Sequence, residues 1–275
     1  MRLWGFFLNL NSKMIICSWN INSVRTRVEL LKVLIKNLKP DIILLQEIKC
    51  QNTEFPDVFK SLDYSTVTNG EKGKYGVAIL LKNTIKFKEI KFDKQIFNKQ
   101  ARICGIKIKT NLYPDLNLIN VYSPNGNPIE DKEKFQFKID WLKELANVAQ
   151  NFIENRKHFV IAGDFNVLDH ENDVQDFSNW ENDALGNLSS RKLFRKLLST
   201  GLTNAVRLFY EPGEKYSYWD YQKASWERNY GLLIDHFLLS PGVTQNINKI
   251  SFEKDFRGKE QPSDHIPFWI KLAIN

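Results

Sequence analysis

The stretch Phe159-Val160-Ile161-Ala162-Gly163-Asp164-Phe165-Asn166 joins a short apolar run to two polar side chains. An apolar run of this length is typical of a buried strand, so the polar residues lie where the strand ends. Side chains two positions apart project from the same side of a strand, so Asp164 and Asn166 are expected on the same side where the strand ends. A carboxylate beside a neutral amide can take a proton from water or hold a cation. The stretch therefore predicts a core strand that ends at a reactive site.

Three other polar clusters lie next to apolar runs in the same way. Asn20 and Glu47 each follow such a run, and Ser263-Asp264-His265 precedes one. Taken alone, Asp164 and Asn166 have common structural uses in caps and turns. Four clusters placed alike at strand ends favour one shared site over four unrelated turns.

The side chains at these strand ends suit phosphodiester hydrolysis. Glu47 is costly to bury without a partner, and a hard divalent cation is the natural one, although a surface pair with Lys49 is the simpler alternative. Asn20 and Asp264 offer further oxygen ligands. His265 is suited to donate to a phosphate oxygen.

Three more polar residues complete the predicted site. Asp235 is the nearest available carboxylate to hold the imidazole of His265 in one tautomer and keep it charged. Tyr122 and Asn125 end another apolar strand at a turn, where a phenol and an amide can meet a phosphate.

Length and charge narrow the class of protein. The 275 residues contain no linker-like or low-complexity stretch, which predicts one domain over residues 14–275. The chain carries 39 Lys and Arg against 32 Asp and Glu, a net charge of +7. This balance favours a polyanionic partner, either nucleic acid or an acidic membrane surface.

The three cysteines indicate the redox environment of the chain, and the first residues indicate where its folded part begins. The cysteines are far apart and form no CxxC or Cys/His pattern, which argues against disulfides and structural zinc and favours a reducing cytoplasm. The opening residues are too short an apolar run for a membrane span. Met14 directly precedes the first strand, so residues 1–13 are expected to be a disordered extension or a misassigned start.

The hydrophobic periodicity predicts an α+β fold. Helical spacing indicates one helix from about Val24 to Leu38, a second from about Phe135 to Ile153, and a third near 190–199. The middle of the chain is expected to contain strands without an intervening helix. Two mixed sheets packed face to face with helices outside, a four-layer αββα sandwich, follow from this order. Beyond the first two apolar runs, the predicted strands are 64–68, 76–82, 85–92, 102–108, 116–122, 158–163, 216–219, 232–239, 248–254 and 267–273.

Taken in order, the motifs resemble the exonuclease III family of apurinic/apyrimidinic (AP) DNA-repair endonucleases, within the wider endonuclease/exonuclease/phosphatase superfamily. The resemblance covers residues 14 to 273. No single motif is specific, but together they are. They are Trp19-Asn20-Ile21-Asn22, Leu45-Gln46-Glu47-Ile48-Lys49-Cys50, Val121-Tyr122-Ser123-Pro124-Asn125-Gly126, Gly163-Asp164-Phe165-Asn166-Val167, Ile234-Asp235-His236-Phe237-Leu238-Leu239-Ser240 and Ser263-Asp264-His265-Ile266-Pro267.

The resemblance implies a role for each residue at the predicted site. It implies Mg²⁺ or Mn²⁺ held chiefly by Glu47, with Asn20 and Asp264 nearby. It also implies that Asp164 and Asn166 serve the attacking water or a second ion. The remaining roles implied are orientation of His265 by Asp235, and contact of Tyr122 and Asn125 with the target phosphate.

The same resemblance implies how DNA is recognised. Arg25 and Lys49 match positions that contact the DNA backbone. An apolar pocket for an extruded abasic sugar is implied for Tyr218, Trp219, Leu232 and Ile234. Leu233 departs from the family, which usually has arginine there. Either a phosphate contact is missing in this chain, or Leu233 packs into the core.

The resemblance implies a metal-dependent enzyme that cleaves duplex DNA 5′ to abasic sites and also acts on 3′ ends as a 3′-to-5′ exonuclease and 3′-phosphatase. The expected state is a monomer without membrane contact. Two rivals stay open. A superfamily phosphatase or sphingomyelinase would normally have histidine in place of Tyr122, and a non-catalytic RNA- or DNA-binding regulator would have lost acidic or histidine positions.

Overall fold

A computed structural model describes residues 12–275 of the chain. The predicted N-terminal extension, residues 1–13, lies almost wholly outside the described residues. Lys13 belongs to the first strand, where it pairs with Ala273 of the last one.

The described part of the chain contains twelve strands and five α-helices. The strands are β1 (Lys13–Asn20), β2 (Ile42–Gln46), β3 (Tyr64–Asn69), β4 (Val77–Lys82), β5 (Phe87–Glu89), β6 (Ile103–Ile108), β7 (Leu116–Tyr122), β8 (His158–Asp164), β9 (Thr203–Asn204), β10 (Asp235–Leu239), β11 (Ile247–Phe252) and β12 (Phe268–Ala273). The helices are α1 (Val28–Leu38), α2 (Gln95–Asn98), α3 (Lys132–Glu154), α4 (Leu188–Ser199) and α5 (Pro241–Thr244).

Local signals set the ends of the three longer helices. α1 ends where Lys39 adopts the left-handed conformation, directly before Pro40. The Asp131 carboxylate accepts a hydrogen bond from the backbone N–H of Lys134 and caps the start of α3. Asn187 caps α4 in the same manner, through the N–H of Ser189.

The strands form two mixed six-stranded sheets, in the orders β11-β12-β1-β2-β4-β3 and β5-β6-β7-β8-β10-β9. Each sheet has one parallel pair near its centre, β1 with β2 and β7 with β8. Parallel neighbours need a long crossover, which α1 provides in the first sheet and α3 in the second. The two crossovers place the ends of β1, β2, β7 and β8 at matching positions in their sheets.

The main hydrophobic core lies between the sheets. Alternate residues of a strand face opposite sides, so Ile16 packs into this core whereas Cys17 and Trp19 pack beneath α1. A third cluster joins the outer face of the second sheet to α3 and α4. Because both faces of each sheet are covered, the central strands are apolar almost throughout. The predicted four-layer αββα sandwich is confirmed.

Several predicted boundaries were wrong. Residues 216–219 do not form a sheet strand; Tyr218 makes only isolated bridges, to Leu232 and His265. β10 begins at Asp235 instead of 232, since Leu232 forms isolated bridges to Tyr218 and Val174 and the N–H of Leu233 donates to Asp173, outside the sheet. β5 is shorter than the predicted 85–92, and the short helix α2 follows it in a region expected to contain only strands.

Leu233 packs into the core between the sheets, with no exposed surface, and its N–H donates to the carbonyl of Asp173. Of the two alternatives for this departure from the family, the structure supports packing. A leucine buried in this way does not face DNA.

Leu233→Arg is expected to lower the free energy of unfolding by roughly 3–5 kcal/mol, because the guanidinium would be buried without a partner. Urea unfolding measures the loss. Leu233→Met is the matched control, since it nearly conserves volume and is expected to cost less than about 1.5 kcal/mol. An arginine variant with an unchanged unfolding midpoint would contradict the assignment of Leu233 to the core.

Candidate functional site

The predicted site residues meet at one edge of the two sheets. Tyr122 ends β7 and lies opposite Asp164, which ends β8, and Asp164 in turn pairs with Asp235 at the start of β10. In the other sheet, Asn20 ends β1, and Glu47 follows directly after β2. The polar residues are therefore together because both sheets expose the same ends of their central strands.

The side-chain amide of Asn20 connects the two sheets. Its Nδ2 donates to Glu47 Oε1 and to Asp164 Oδ2, each at 2.9 Å. Asn20 has no exposed surface, and Asp164 is 1% exposed. One buried amide thus holds two carboxylates, one from each sheet, within reach of a single ligand.

The backbone at two of these residues is in the left-handed region. Glu47 and Asn166 both have φ of 50°. This conformation is uncommon for a residue with a side chain and is tolerated best by asparagine. At Glu47 the left-handed conformation turns the chain sharply after β2, so that the Glu47 carboxylate lies next to the ends of the central strands.

A buried carboxylate–imidazole–carboxylate array lies at the centre of the site. Asp235 Oδ2 is 2.7 Å from His265 Nδ1, and His265 Nε2 is 3.7 Å from Asp164 Oδ2. The three ligand atoms lie within 4.8 Å of one another. The predicted pairing of Asp235 with His265 is present in the structure, and it leaves Nε2 facing Asp164.

Burial and neighbouring charges shift the pKa values of both His265 and Asp164 in this array. Burial alone lowers the pKa of His265, but the carboxylates of Asp235 and Asp164 outweigh it and raise the pKa to about 10. Burial raises the pKa of Asp164 to about 7, against the opposing charge of His265. His265 is accordingly an imidazolium at neutral pH, and Asp164 exchanges its proton near neutrality.

Sequence analysis missed Ser217, which orients the array from behind. Its hydroxyl donates to Asp235 Oδ2 at 2.6 Å and accepts from the backbone N–H groups of Ile234 and Asp235. Ser217 has no exposed surface. A single serine next to aromatic residues gives no sequence signal, because its role depends on the pairing of Tyr218 with both Leu232 and His265.

His265 is expected to stay charged from about pH 6 to about pH 9 in metal-free protein. A folded-state pKa of about 10, above the unfolded value of about 6.5, stabilises the fold below pH 6.5, and this stabilisation is lost as the pH rises towards 10. Histidine ¹³C and ¹⁵N NMR titration measures the midpoint. Asp235→Asn should shift it downwards, and a wild-type midpoint near 6.5 would contradict the described environment.

Asn166 and Asn125 form a second layer beside Asp164. The N–H of Asn166 donates to Asp164 Oδ1 at 2.8 Å, and Asn125 Nδ2 donates to Asn166 Oδ1 at 3.2 Å. Asn166 Nδ2 donates to the carbonyl of Ser123 at 3.0 Å. The structure thus brings both predicted asparagines next to Asp164: the backbone N–H of Asn166 contacts the carboxylate, and the two side-chain amides contact each other.

The phenol of Tyr122 lies beside Glu47. Burial, followed by the negative charge of Glu47, raises the pKa of Tyr122 well above its usual value, so the phenol keeps its proton. Sequence analysis also missed Arg102, whose guanidinium stacks between the rings of Tyr75 and Tyr122 at 3.9 and 4.5 Å from their centroids. Arg102 further donates to the carbonyls of Tyr122 and Ser123, which fixes the ring.

Asp264 is linked to Glu47 by a chain of polar contacts. Asn22 Nδ2 donates to Asp264 Oδ1 at 3.0 Å, Lys49 Nζ donates to Asn22 Oδ1 at 2.5 Å, and Lys49 Nζ lies 3.0 Å from Glu47 Oε2. Burial alone raises the pKa of Glu47, but Lys49 and Asn20 hold it below its usual value. Glu47 is therefore ionised at neutral pH. Sequence analysis did not assign Asn22 to the site, although Asn22 lies in the first motif.

The oxygen-rich donors suit a hard divalent cation. Glu47 and Asp164 supply carboxylates that share the Asn20 amide, and the Asp264 carboxylate lies farther off, beyond Asn22 and Lys49. Mg²⁺ and Mn²⁺ prefer such ligands. The His265 ring is less suited as a ligand, because its Nδ1 is engaged by Asp235 and the ring is protonated at neutral pH.

A pocket of mixed character adjoins the array, where an apolar one was predicted; polar and charged side chains, among them Asp176, Asp183 and Arg228, form most of its lining. Tyr218 and Leu232 line a cavity of about 850 Å³ together with Val174 and Trp180. Tyr218 packs edge-on against His265, with ring centroids 4.9 Å apart. Ile234 was also predicted to line the pocket, but it does not; it is 2% exposed and belongs to the hydrophobic cluster that contains Val174 and Leu232.

Trp219 does not line this pocket, and its predicted contact was wrong. It is 1% exposed and packs against Tyr216 and Trp226. Consecutive residues of an extended segment face opposite sides, so Tyr218 faces the pocket and Trp219 faces away.

The two residues predicted to contact the DNA backbone, Arg25 and Lys49, differ in their surroundings. Arg25 is exposed; it donates to the carbonyl of Lys49 at 3.4 Å and lies 3.7 Å from Glu54. Lys49 is half-buried and is directed at Glu47, as in the simpler alternative from the sequence. Arg25 is therefore accessible to a phosphate, which would compete with Glu54, whereas Lys49 would contact a phosphate from within the carboxylate cluster.

Comparison with sequence families and curated proteins gives consistent matches. The sequence model of the Endonuclease/Exonuclease/phosphatase family matches residues 17–265. The chain is similar to an exodeoxyribonuclease III of Haemophilus influenzae, with 30% identity over 263 residues that cover 93% of this chain and 98% of the relative. It is also similar to an exodeoxyribonuclease of Bacillus subtilis, with 26% identity over 263 residues, 94% of this chain and 98% of the relative.

Solved structures show the same similarity. The 3′ phosphatase NExo from Neisseria, bound to a product DNA hairpin, superposes with a TM-score of 0.87 at 28% identity, covering 94% of this chain and 99% of that one. An AP endonuclease from Archaeoglobus fulgidus gives a TM-score of 0.85 at 30% identity, covering 94% and 98%.

Proposed function

The chain belongs to the endonuclease/exonuclease/phosphatase family, and from that premise we propose that it is a DNA-repair nuclease of the exodeoxyribonuclease III type. It cleaves duplex DNA 5′ to abasic sites and also acts on 3′ ends, as a 3′-to-5′ exonuclease and a 3′-phosphatase. The observation that carries this proposal is the Asp235–His265–Asp164 array, joined through Asn20 to Glu47.

Asp164 is the residue that activates the attacking water. A general base is most effective when its pKa lies near the working pH, and burial brings the pKa of Asp164 to about 7. Its Oδ1 is held by the N–H of Asn166, and its Oδ2 accepts from Asn20 and faces His265. The side chain is thus fixed in direction before substrate binds.

His265, Asn125 and Tyr122 stabilise the phosphate as its charge grows. The imidazolium of His265 donates from Nε2, and Asp235 keeps the ring in place through Nδ1. The Tyr122 phenol and the Asn125 amide are neutral donors at the ends of β7 and its turn. Donors that are oriented in advance stabilise a transition state by several kcal/mol, because they do not reorganise during the reaction.

The family depends on a divalent metal. Mg²⁺ or Mn²⁺ would be held here by Glu47, Asn20 and Asp264. Asp164 and Asn166 would contact the attacking water or a second ion. The cation supplies positive charge to the phosphate oxygens and the leaving group. Glu47 suits this role because it is ionised and faces the same space as Asp164.

Duplex DNA with abasic sites or 3′ ends is the proposed substrate. Arg25 and Lys49 contact the backbone, and the extruded sugar enters the pocket lined by Tyr218 and Leu232. The net charge of +7 favours this polyanion. The proposed state is a cytoplasmic monomer of one domain, residues 14–275. None of the helices in residues 12–275 is long and apolar enough to cross a membrane.

Three labelled substrates test the proposed activities side by side. One duplex carries a single abasic site, the second a recessed 3′-hydroxyl end and the third a 3′-phosphate. With Mg²⁺, the protein is expected to nick the first, shorten the second and release phosphate from the third. A protein that binds all three without changing any would instead be a non-catalytic regulator. Activity confined to non-nucleic-acid phosphodiesters would support a superfamily phosphodiesterase.

A further inference from the structure

Lys138 is a lysine with no exposed surface, although it lies on α3. Its Nζ donates to three backbone carbonyls, those of Asn125 at 2.9 Å, Asn166 at 2.6 Å and Ala184 at 2.9 Å. An ammonium has three donors and no acceptor, so all of its hydrogen-bonding capacity is used. Burying a charge costs more than filling the same space with an apolar side chain, and here three carbonyl contacts offset part of that cost.

The three carbonyls belong to segments that are far apart in sequence. Asn125 lies in the turn after β7, Asn166 follows β8, and Ala184 lies in the loop before α4. Asn127 ties the first segment to the third, because it donates to Asp183 and accepts from the N–H of Ala184. The ammonium of Lys138 is thus the point at which all three segments meet.

The stem of Lys138 is enclosed as tightly as its ammonium. Gly126 has φ of +85°, and a Cβ built there would lie 2.6 Å from Lys138 Cδ and 3.2 Å from the Cβ of Ala184. Glycine at this position therefore lets the turn after β7 close over the lysine.

We propose that Lys138 is a positioning residue for the nuclease reaction. By fixing the backbones of Asn125 and Asn166 relative to each other, it orients the two side-chain amides that face the phosphate and the attacking water. The amides are in contact, because Asn125 Nδ2 donates to Asn166 Oδ1 at 3.2 Å. Lys138 lies behind them and does not touch the reacting atoms. This inference rests on the proposed function for its effect on cleavage.

Lys138→Met tests the assignment, because it keeps a long apolar stem and removes the three donors. Displacement of catalytic groups by about 1 Å can cost on the order of 100-fold in rate, so we expect single-turnover cleavage of abasic duplex with Mg²⁺ to slow by about that factor. The dissociation constant for the same duplex should change little. The side-chain amide NMR signals of Asn125 and Asn166 should move. Lys138→Arg keeps charge and donors, and should cleave at an intermediate rate.

Lys143→Met is the matched control, since Lys143 is an exposed lysine on the same helix. It should match the wild type in all measurements. A folded Lys138→Met variant that cleaves at the wild-type rate, or whose two asparagine signals stay in place, would overturn the proposal. So would parallel losses of cleavage and binding that follow the folded fraction in thermal unfolding. Failure of both Lys138 variants to fold would assign the residue a purely structural role.

Failure of the proposed function has a different signature. In that case neither the wild type nor Lys143→Met cleaves the abasic duplex. The NMR comparison still decides whether Lys138 positions Asn125 and Asn166.

Discussion

Asp164→Asn is expected to slow cleavage of abasic duplex by about 10³- to 10⁴-fold, because an amide cannot take a proton from water. Binding should be largely retained, since Asp164 acts on the water in the transition state and not on the DNA backbone. Single-turnover nicking and gel-shift binding measure the two effects on the same preparation. The Asn166 N–H that now donates to Asp164 Oδ1 finds an equivalent acceptor in the new amide.

Asp57→Asn is the control for this substitution, because the Asp57 side chain is 83% exposed and pairs only with the nearby Lys60 among the described ion pairs. It should leave both cleavage and binding unchanged. If the Asp164→Asn variant lost binding and cleavage together, Asp164 would be structural, and its assignment as the base would be wrong.

Glu47→Gln is expected to lower metal affinity by on the order of 100-fold or more, since even residues behind the direct ligands of a metal contribute 10- to 100-fold. Cleavage at low Mg²⁺ should fall accordingly and recover in part as Mg²⁺ is raised. The substitution keeps an acceptor for Asn20 and removes the charge that pairs with Lys49. A Mg²⁺ titration of the nicking rate measures the shift.

Glu54→Gln is the matched control for Glu47→Gln. Glu54 is more exposed than Glu47 and pairs with Arg25. Its substitution should not change how the nicking rate depends on the Mg²⁺ concentration. Wild-type rates from Glu47→Gln at low Mg²⁺ would contradict the assignment of Glu47 to the metal.

Much of the architecture could be predicted from local patterns. Central strands buried on both faces are apolar throughout, and this made β1, β2, β7 and β8 visible in the sequence. The polar residues that end these strands, Asn20, Glu47, Tyr122 and Asp164, then had to lie at one edge. Strand 216–219 was wrong because an aromatic-rich extended segment looks the same whether it joins a sheet or only bridges two loops.

The residues that sequence analysis missed act through contacts between distant segments. Ser217, Arg102 and Lys138 each reach their partners across separations that no local pattern shows. The wrong direction predicted for Trp219, and the alternative left open for Leu233, have the same origin. Each residue lies next to one that faces the pocket, and only the backbone conformation shows that both side chains turn inward.

Nicking of a duplex with one abasic site, with and without EDTA, distinguishes metal-dependent cleavage from binding alone. With Mg²⁺, we expect a single cut 5′ to the abasic site that leaves a 3′-hydroxyl, which a polymerase extends without further treatment. In EDTA we expect complete loss of cutting, and recovery when Mg²⁺ is returned in excess. An intact duplex in the presence of Mg²⁺, or cutting that persists in EDTA, would contradict the proposed metal-dependent cleavage.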